Sequence, residues 1–313
     1  MKSLFFVVSF LGLLQAEVLN IDIAPPFSDK QFEGITLLDQ KILDFYKISG
    51  LQFSEISDLA YNKKEKKLYF VSDEGKLFVF DAYFTEKIES LNAKSGLTLV
   101  KKKGQKFKKW RHDSEGLTLD NKGRLYVSFE GRAKIGRFDE KGRMEKEYRL
   151  PKKLRDPKNY RSRNKSLEAL TWHPRYGLLT AAEWPLKHKN KKEQTIYALG
   201  GKVWHFKAEA EQKSAVVAME VMDDGNILVM ERSFIDLFQP FVITLKKIYL
   251  NRCNNKKRLC QSETLAKMNN HKGWRIDNFE GLTKVGKHRY VIVSDDNDNF
   301  YQQTLLVYFE VKH

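Results

Sequence analysis

The sequence predicts an all-β protein, a β-propeller of five or six four-stranded blades. Three observations lead to this fold: a hairpin-like pattern repeats along the chain, the copies are spaced by about the length of a blade, and the apolar segments are strand-like rather than helical. In each copy an acid opens an apolar segment, a polar turn follows, and a second apolar segment closes on another acid. Four copies, each with its two acids 15 residues apart, are DLAYNKKEKKLYFVSD (58–73), EGLTLDNKGRLYVSFE (115–130), EALTWHPRYGLLTAAE (168–183) and EGLTKVGKHRYVIVSD (280–295).

A fifth, shorter copy runs from Glu220 to Glu231 as EVMDDGNILVME, with its acids 11 residues apart. Trimming two residues from each strand of a hairpin preserves which side chains face the same way, so the same geometry is expected for this copy. The opening acids are 57, 53, 52 and 60 residues apart, enough for four strands and their loops. Such repeats cannot bury their faces singly, and a closed ring solves this problem.

Ring closure is expected to use both chain ends. The last apolar segment, TLLVYFEV at 304–311, can pair with an N-terminal strand within 18–23 or 34–45. A sixth blade built around Glu33 and the segment 232–275 remains open at this point.

The first 16 residues, MKSLFFVVSFLGLLQA, have the pattern of a signal peptide, with Lys2 followed by an apolar run and a small residue, Ala16. The run of about 11 apolar residues is shorter than the roughly 20 that span a bilayer. No other segment approaches that length, so no transmembrane segment is predicted. Residues 17–313 are expected to form a single propeller domain.

The net charge of +16 at pH 7 would suit nucleic acid or an anionic membrane as a partner. Export removes nucleic acid from the expected partners. Cys253 and Cys260 are the only cysteines, and an oxidising compartment favours a local disulfide between them. Two free thiols, or a metal pair without further nearby ligands, are the alternatives. The sequence does not fix the oligomeric state, and a monomer is favoured.

The repeated acids are expected to converge at one end of the ring, because the first residue of a hairpin lies opposite its last. If each opening strand is innermost, ten carboxylates share one mouth, and Asp296 lies beside them. Crowded carboxylates raise one another's pKa, and hard oxygen ligands in such numbers suit Ca²⁺, with Mg²⁺ or Mn²⁺ as alternatives. The competing interpretation is that each acid only accepts hydrogen bonds from loop backbone. The proposed ligands are Asp58, Glu115, Glu168, Glu220 and Glu280 on opening strands and Asp73, Glu130, Glu183, Glu231 and Asp295 on closing strands.

Several of these segments also resemble a known family. NFEGLT at 278–283 and VSDDNDNFYQQTLLVYF at 293–309 are similar to the C-terminal motifs of the phytase-like esterase family. Its preceding motifs are resembled, in order, by ISDLAY with VSDEG, DSEGL at 113–117, SLEALTW at 166–172 and MERSF at 230–234. The sequence departs from the family pattern at 53–58, where FSEIS and Asp58 replace a glycine-rich stretch.

The resemblance implies an exported propeller with esterase-like or phosphoesterase-like activity that depends on calcium. Together with the signal peptide it places the protein in the periplasm, with secretion to the exterior as the alternative. The sequence has no Gly-x-Ser-x-Gly elbow and no His-Glu-x-x-His motif, which argues against serine-esterase and zinc-protease chemistry.

The mechanism this suggests is metal-assisted hydrolysis of a small anionic or phosphorylated substrate. Glu115, Glu168, Glu280 and Arg232 are the candidate catalytic residues. The candidate substrate contacts are Arg111, His112 and Arg132, for which the alternative is a counter-ion role beside the acids.

A different class of function also fits the sequence: a non-catalytic propeller in which calcium is structural and an outer surface binds another envelope component. The two differ in whether the metal keeps coordination positions open to water and substrate. Three lysine-rich runs, at 101–110, 151–165 and 185–192, are expected in loops. They are either solvated faces or a basic rim that concentrates polyanions or lipid headgroups.

Overall fold

A computed structural model describes residues 17–108, 111–162, 165–211, 213–234 and 241–312. The predicted signal peptide, residues 1–16, lies outside the described residues. In chain order the strands are β1 (Val18–Asn20), β2 (Gln31–Phe32), β3 (Ile35–Leu43), β4 (Lys47–Ile48), β5 (Leu51–Gln52), β6 (Ile56–Asn62), β7 (Lys67–Ser72), β8 (Lys76–Phe84), β9 (Ile88–Thr98), β10 (Ser114–Leu119), β11 (Leu125–Phe129), β12 (Lys134–Phe138), β13 (Met144–Tyr148), β14 (Leu167–His173), β15 (Gly177–Ala182), β16 (Glu193–Ala198), β17 (Val203–Lys207), β18 (Ala215–Val221), β19 (Ile227–Ser233), β20 (Val242–Cys253), β21 (Cys260–Asn269), β22 (Asn278–Gly286), β23 (Arg289–Asp295) and β24 (Leu305–Val311). The described helices are short: an α-helix at Lys152–Arg155 and 3-10 turns at Pro157–Asn159 and Asn270–Lys272.

The strands form five antiparallel sheets, which are the blades of a propeller. Blades 1 to 4 are β6–β9, β10–β13, β14–β17 and β18–β21, each in simple meander order. Blade 5 runs β22, β23, β24, β3, β1, with β2 also paired to β3, so both chain ends complete it. The predicted closure is therefore confirmed, and the blade number left open by the sequence is five. Residue Glu33 and the segment 241–269 belong to blades 5 and 4 rather than to a sixth blade.

The core is divided among the interfaces between blades. Five apolar clusters are present, and each takes its buried residues from two neighbouring blades. Between blades 5 and 1, for example, Leu59 and Phe70 pack in the same cluster as Val291 and Tyr308. Because each blade buries both of its faces in this way, no blade has a complete core of its own.

The innermost strands β6, β10, β14, β18 and β22 contact their neighbours around a closed ring. All five begin at the same end, which we call the mouth face; the other end is the opposite face. Each inner strand carries a β-bulge near its start. The bulges follow the pairs Ile56↔Ser72, Ser114↔Phe129, Leu167↔Ala182, Val216↔Glu231 and Phe279↔Ser294. A bulge re-aims the side chain that it carries, so the five blades share one device for presenting a residue at the mouth.

Two buried carboxylates connect the inner strands inside the channel. Asp58 on β6 accepts hydrogen bonds from the backbone N–H of Leu117 on β10 (2.7 Å) and of Leu282 on β22 (3.0 Å). Glu220 on β18 accepts from the Thr171 hydroxyl on β14 (2.9 Å) and from the Lys284 N–H on β22 (3.2 Å). Four of the five seams between inner strands therefore contain a carboxylate bridge.

The remaining seam, between β10 and β14, closes by direct approach. A Cβ added to Gly116 would lie 2.5 Å from the backbone oxygen of Glu168, so only glycine fits at that position. The same constraint applies on β22, where a Cβ on Gly281 would lie 2.8 Å from the Cα of Asp58. The glycines of the two EGLT segments are thus explained by the narrow channel.

The Cys253–Cys260 disulfide is confirmed and ties β20 to β21 where that hairpin turns on the opposite face. It is a staple within one blade and lies far along the strands from the mouth. Within the described part of the chain, no helix has the length and apolar character needed to cross a membrane.

We predict that Asp58→Ala lowers the free energy of unfolding by roughly 3 kcal/mol or more, because it leaves buried backbone N–H groups of three strands without an acceptor, each costing about 1–3 kcal/mol. Urea denaturation followed by circular dichroism measures the change. Calcium affinity of the folded variant should stay close to that of the unaltered protein. A loss of calcium binding without a loss of stability would show that Asp58 is a ligand instead.

Candidate metal centre at the mouth

The five bulges define equivalent mouth positions in every blade. The bulged residue, here called the opening position, is a glutamate in three blades. The closing position follows the residue paired just before the bulge. The opening residues are Ser57, Glu115, Glu168, Val217 and Glu280, and the closing residues are Asp73, Glu130, Glu183, Arg232 and Asp295.

Five carboxylates from blades 2 and 3 come together at this mouth, and we call them the acid cluster. Single oxygens of Asp113, Glu115 and Glu130 lie within 4.8 Å of one another, and so do single oxygens of Glu130, Glu168 and Glu183. Glu130 belongs to both triads. Two adjoining groups of three carboxylate oxygens that share one residue are a donor set suited to hard divalent cations, and to Ca²⁺ above all.

The electrostatics of the cluster agree with this interpretation. Burial, followed by the negative charge of neighbouring carboxylates, raises the pKa of Glu115 and of Glu168 well above the usual range of a glutamic acid. Burial raises the pKa of Glu130 to about 7 and, aided by Glu55 and Glu280 respectively, the pKa values of Asp73 and Asp295 to about 8. The buried Oδ1 of Asp73 has no hydrogen-bond partner among the described residues. A bound cation would supply the missing positive charge.

Protein cations neutralise only one side of the mouth. Arg232 donates to Glu280 and to Asn278, and its guanidinium lies 3.6 Å from Glu183. Lys165 forms an ion pair with Glu183 at 2.7 Å. No comparable ion pair to Asp113, Glu115, Glu130 or Glu168 is found in the described part of the chain. The positive charge needed beside blade 2 must therefore come from outside.

Blade 4 differs from the sequence prediction. Glu220 was expected opposite Glu231, but it pairs with Leu228, and Glu231 lies opposite Val216. Arg232, not Glu231, occupies the closing position. Glu231 is buried and forms an ion pair with Lys246 at 2.6 Å, so its charge is already compensated within the blade.

Two other predicted ligands have backbone partners. Asp58 and Glu220 lie one and three residues beyond their bulges, deeper in the channel, where they hold the bridges between inner strands described above. Asp296 accepts from the Glu55 N–H (2.9 Å) and the Thr304 hydroxyl (3.2 Å), which orders the loop after β23. The geometry of these three residues matches the interpretation in which an acid serves as a hydrogen-bond acceptor for the fold.

A cavity of about 1180 Å³ between blades 2 and 3 opens beside the acid cluster, and Asp113 and Glu130 form part of its wall. Four cationic residues line it: Arg132, Lys134, Arg149 and Arg155. Tyr148, Leu150, Pro157 and Tyr160 give it an apolar side. Such a space next to a cation site fits an anionic substrate with a sizeable organic part.

The predicted substrate contacts are placed differently from one another. Arg132 lines this cavity, and its guanidinium lies 3.6 Å from Glu147. The carbonyl of Arg111 accepts a hydrogen bond from Lys134 at 2.7 Å, and the His112 ring lies 3.3 Å from the Asp73 carbonyl. Among the described lining residues only Arg132 of the three is present.

Two members of the site were missed in the sequence. Asp113 stands two residues before Glu115, and Lys165 stands three before Glu168. Comparison of the repeats could have found Asp113, because the polar residues Ser166 and Asn278 hold the equivalent place before Glu168 and Glu280. Lys165 carries no such signal, since it lies in one of three lysine-rich loops.

Comparison with protein families identifies the chain. Residues 51–298 match the family model described as "Phytase-like: Esterase-like activity of phytase". The protein belongs to this phytase-like family. No curated protein sequence matches it significantly.

Solved structures show similarity of fold alone. Virginiamycin B lyase from Staphylococcus aureus is 11% identical with a TM-score of 0.40, over 94% of this chain and 98% of that one. A luciferin-regenerating enzyme is 10% identical with a TM-score of 0.42, over 83% and 93%. The Cps50 (Swd1) propeller domain of Myceliophteria thermophila is 13% identical with a TM-score of 0.36, and the match spans 80% of this chain and 65% of that one.

The raised pKa values of Asp73, Glu130 and Asp295 predict how stability depends on pH. The folded protein holds more protons on these groups than the unfolded chain, so their contribution to stability is lost as the pH rises from about 4 to about 8. In chelator, the melting temperature should therefore fall across this range, and added calcium should restore it most at the upper end.

The difference between melting curves with chelator and with calcium isolates the mouth. Lys134, whose pKa burial lowers to about 7, acts in the opposite sense above that pH but contributes to both samples. A calcium-induced rise in melting temperature that is the same at both ends of the pH range would contradict the expected repulsion.

Proposed function

We propose that this protein is a calcium-dependent hydrolase of phosphoric esters that acts at the mouth of the propeller. The observation that carries the proposal is the juxtaposition of the two carboxylate triads sharing Glu130 with the cation-lined cavity of about 1180 Å³. Membership of the phytase-like family supports hydrolase-like chemistry. The proposed setting is the periplasm, and the disulfide supports an oxidising compartment.

In this proposal Asp113, Glu115, Glu130, Glu168 and Glu183 hold the divalent cation. When bound, the ion supplies a Lewis acid that polarises the phosphoryl group. Magnesium or manganese would satisfy the same oxygen donors, so calcium is the choice favoured by the number of carboxylates rather than by a coordination geometry.

Glu280 is the carboxylate left for proton transfer, because it lies outside both triads. Arg232 holds it through a direct ion pair and is therefore assigned a positioning role. In the reaction a water oxygen attacks phosphorus, its proton passes to the carboxylate, the ester P–O bond breaks, and the departing alkoxide takes up a proton.

The cationic wall of the cavity would hold the anionic substrate. Arg132, Arg149 and Arg155 can donate paired hydrogen bonds to phosphate oxygens. Tyr148, Leu150 and Tyr160 offer apolar surface to the alcohol part of the ester. The substrate class is thus a phosphate ester whose organic group extends away from the acid cluster.

The proposal predicts calcium-dependent hydrolysis in a screen of phosphomonoesters, phosphodiesters, carboxyl esters and phytate by the purified protein lacking residues 1–16. The double variant Glu115→Gln with Glu168→Gln should lose activity by at least about a hundredfold, because each change removes one charged ligand of the cation. Glu74→Gln, which alters an exposed rim carboxylate paired with Lys76, is the matched control and should retain activity.

Circular dichroism confirms that each variant is folded before it is assayed. If no ester is hydrolysed while calcium still raises the melting temperature, the protein is a calcium-stabilised binding module. Activity that persists in chelator would contradict the proposed role of the metal.

A further inference from the structure

The strand directions place all three lysine-rich loops on one face of the ring. The loop from β9 to β10 holds residues 101–108, the loop from β13 to β14 holds 152–158, and the loop from β15 to β16 holds 187–192. Each loop joins strand ends at the mouth face, as the register of blades 1 to 3 requires. The basic residues are therefore gathered above blades 2 and 3.

These cations are not used by the fold. Lys187, Lys189, Lys191 and Lys192 are all exposed, as are the lysines at 102–108 and 152–158. None of them forms an ion pair with a carboxylate of the described residues. On the opposite face, by contrast, several basic side chains have such partners, including Arg124 with Asp120 and Lys284 with Asp223.

The mouth face also carries most of the exposed aromatic rings. Phe300 is 99% exposed and Tyr301 is 67% exposed, in the loop between β23 and β24. Tyr46, after the mouth end of β3, is 76% exposed, and Phe234, at the mouth end of β19, is 46% exposed. On the opposite face the comparable ring is Tyr83, which is 43% exposed and lies under Lys66.

We propose that the mouth face binds an anionic lipid surface. Unpaired lysines attract anionic headgroups, and exposed Phe and Tyr rings at loop tips partition into the membrane interface. The aromatic residues lie over blades 5, 1 and 4 and the lysine loops over blades 2 and 3, so the contacts surround the mouth. A broad, flat partner can meet all of them at once, whereas a single peptide cannot.

Docking in this orientation would present the acid cluster and its adjoining cavity to the headgroup region. The binding surface itself rests on the charge and exposure of loop residues and does not depend on hydrolysis. Vesicle binding and ester hydrolysis can therefore fail separately, and their failures are distinguishable.

The test is co-sedimentation of the protein with vesicles of phosphatidylcholine alone and of phosphatidylcholine mixed with phosphatidylglycerol. Binding is expected only to the mixed vesicles and should weaken as salt is raised. Changing Lys187, Lys189, Lys191 and Lys192 to Glu should reduce the binding constant by about a hundredfold or more, since each lysine near an anionic membrane contributes about fivefold. Phe300→Ser with Tyr301→Ser should also reduce it, by about tenfold or more.

The matched control lies on the opposite face: Lys63→Glu, Lys64→Glu and Tyr83→Ser alter exposed residues of the same kinds. This variant should bind the mixed vesicles like the unaltered protein. No binding to these vesicles, or an equal loss in the control variant, would overturn the proposal. Binding to a short DNA duplex or to heparin without binding to vesicles would also overturn it, in favour of a soluble polyanion.

Discussion

Free backbone groups of the inner strands impose the constraint on which the rest of this propeller depends. Each inner strand has an edge inside the channel, and its buried N–H groups need acceptors that no further strand supplies. Asp58 and Glu220 provide them by reaching across to two neighbouring strands each. The glycines at 116 and 281 allow the close approach that makes these bridges possible. The ring can therefore close tightly with only five blades.

The same geometry produces the charged mouth. The bulge in every inner strand turns one side chain toward the channel entrance, and in three blades that side chain is a glutamate. Closing-position acids then approach from the second strand, and burial raises the pKa values of the whole group. Arg232 and Lys165 offset the charge near blades 3 to 5, which leaves the acids of blade 2 and Glu168 to an external cation. The candidate metal centre is thus a consequence of five-fold repetition that is broken in blade 4.

Much of this architecture could be predicted from the repeat alone. The spacing of the acids gave the blade length, and the alternation of residues placed Glu115, Glu168 and Glu280 at one end of the ring. The facing of residues in blade 4 could not be predicted, because a bulge shifts the register by one residue and leaves no trace in a pattern of apolar and polar positions. For that reason Glu220 and Glu231 resembled a fifth acid pair, and Arg232 was not recognised as the closing residue. Asp58 resembled an opening acid because the turn between β6 and β7 is one residue longer than its counterparts.

The central claim is that the carboxylates of this protein are of two kinds, those compensated by the protein and those left for a cation. Calorimetric titration of chelator-treated protein with calcium tests it most directly, using the two variants Glu130→Gln and Glu231→Gln. Both residues close an acid-to-acid segment in the sequence, but Glu130 belongs to both triads and Glu231 is paired with Lys246. We expect Glu130→Gln to lower calcium affinity by about tenfold or more, because both triads lose a charged ligand, and Glu231→Gln to leave it unchanged. Equal losses in the two variants, or calcium binding by Glu130→Gln like that of the unaltered protein, would contradict the account.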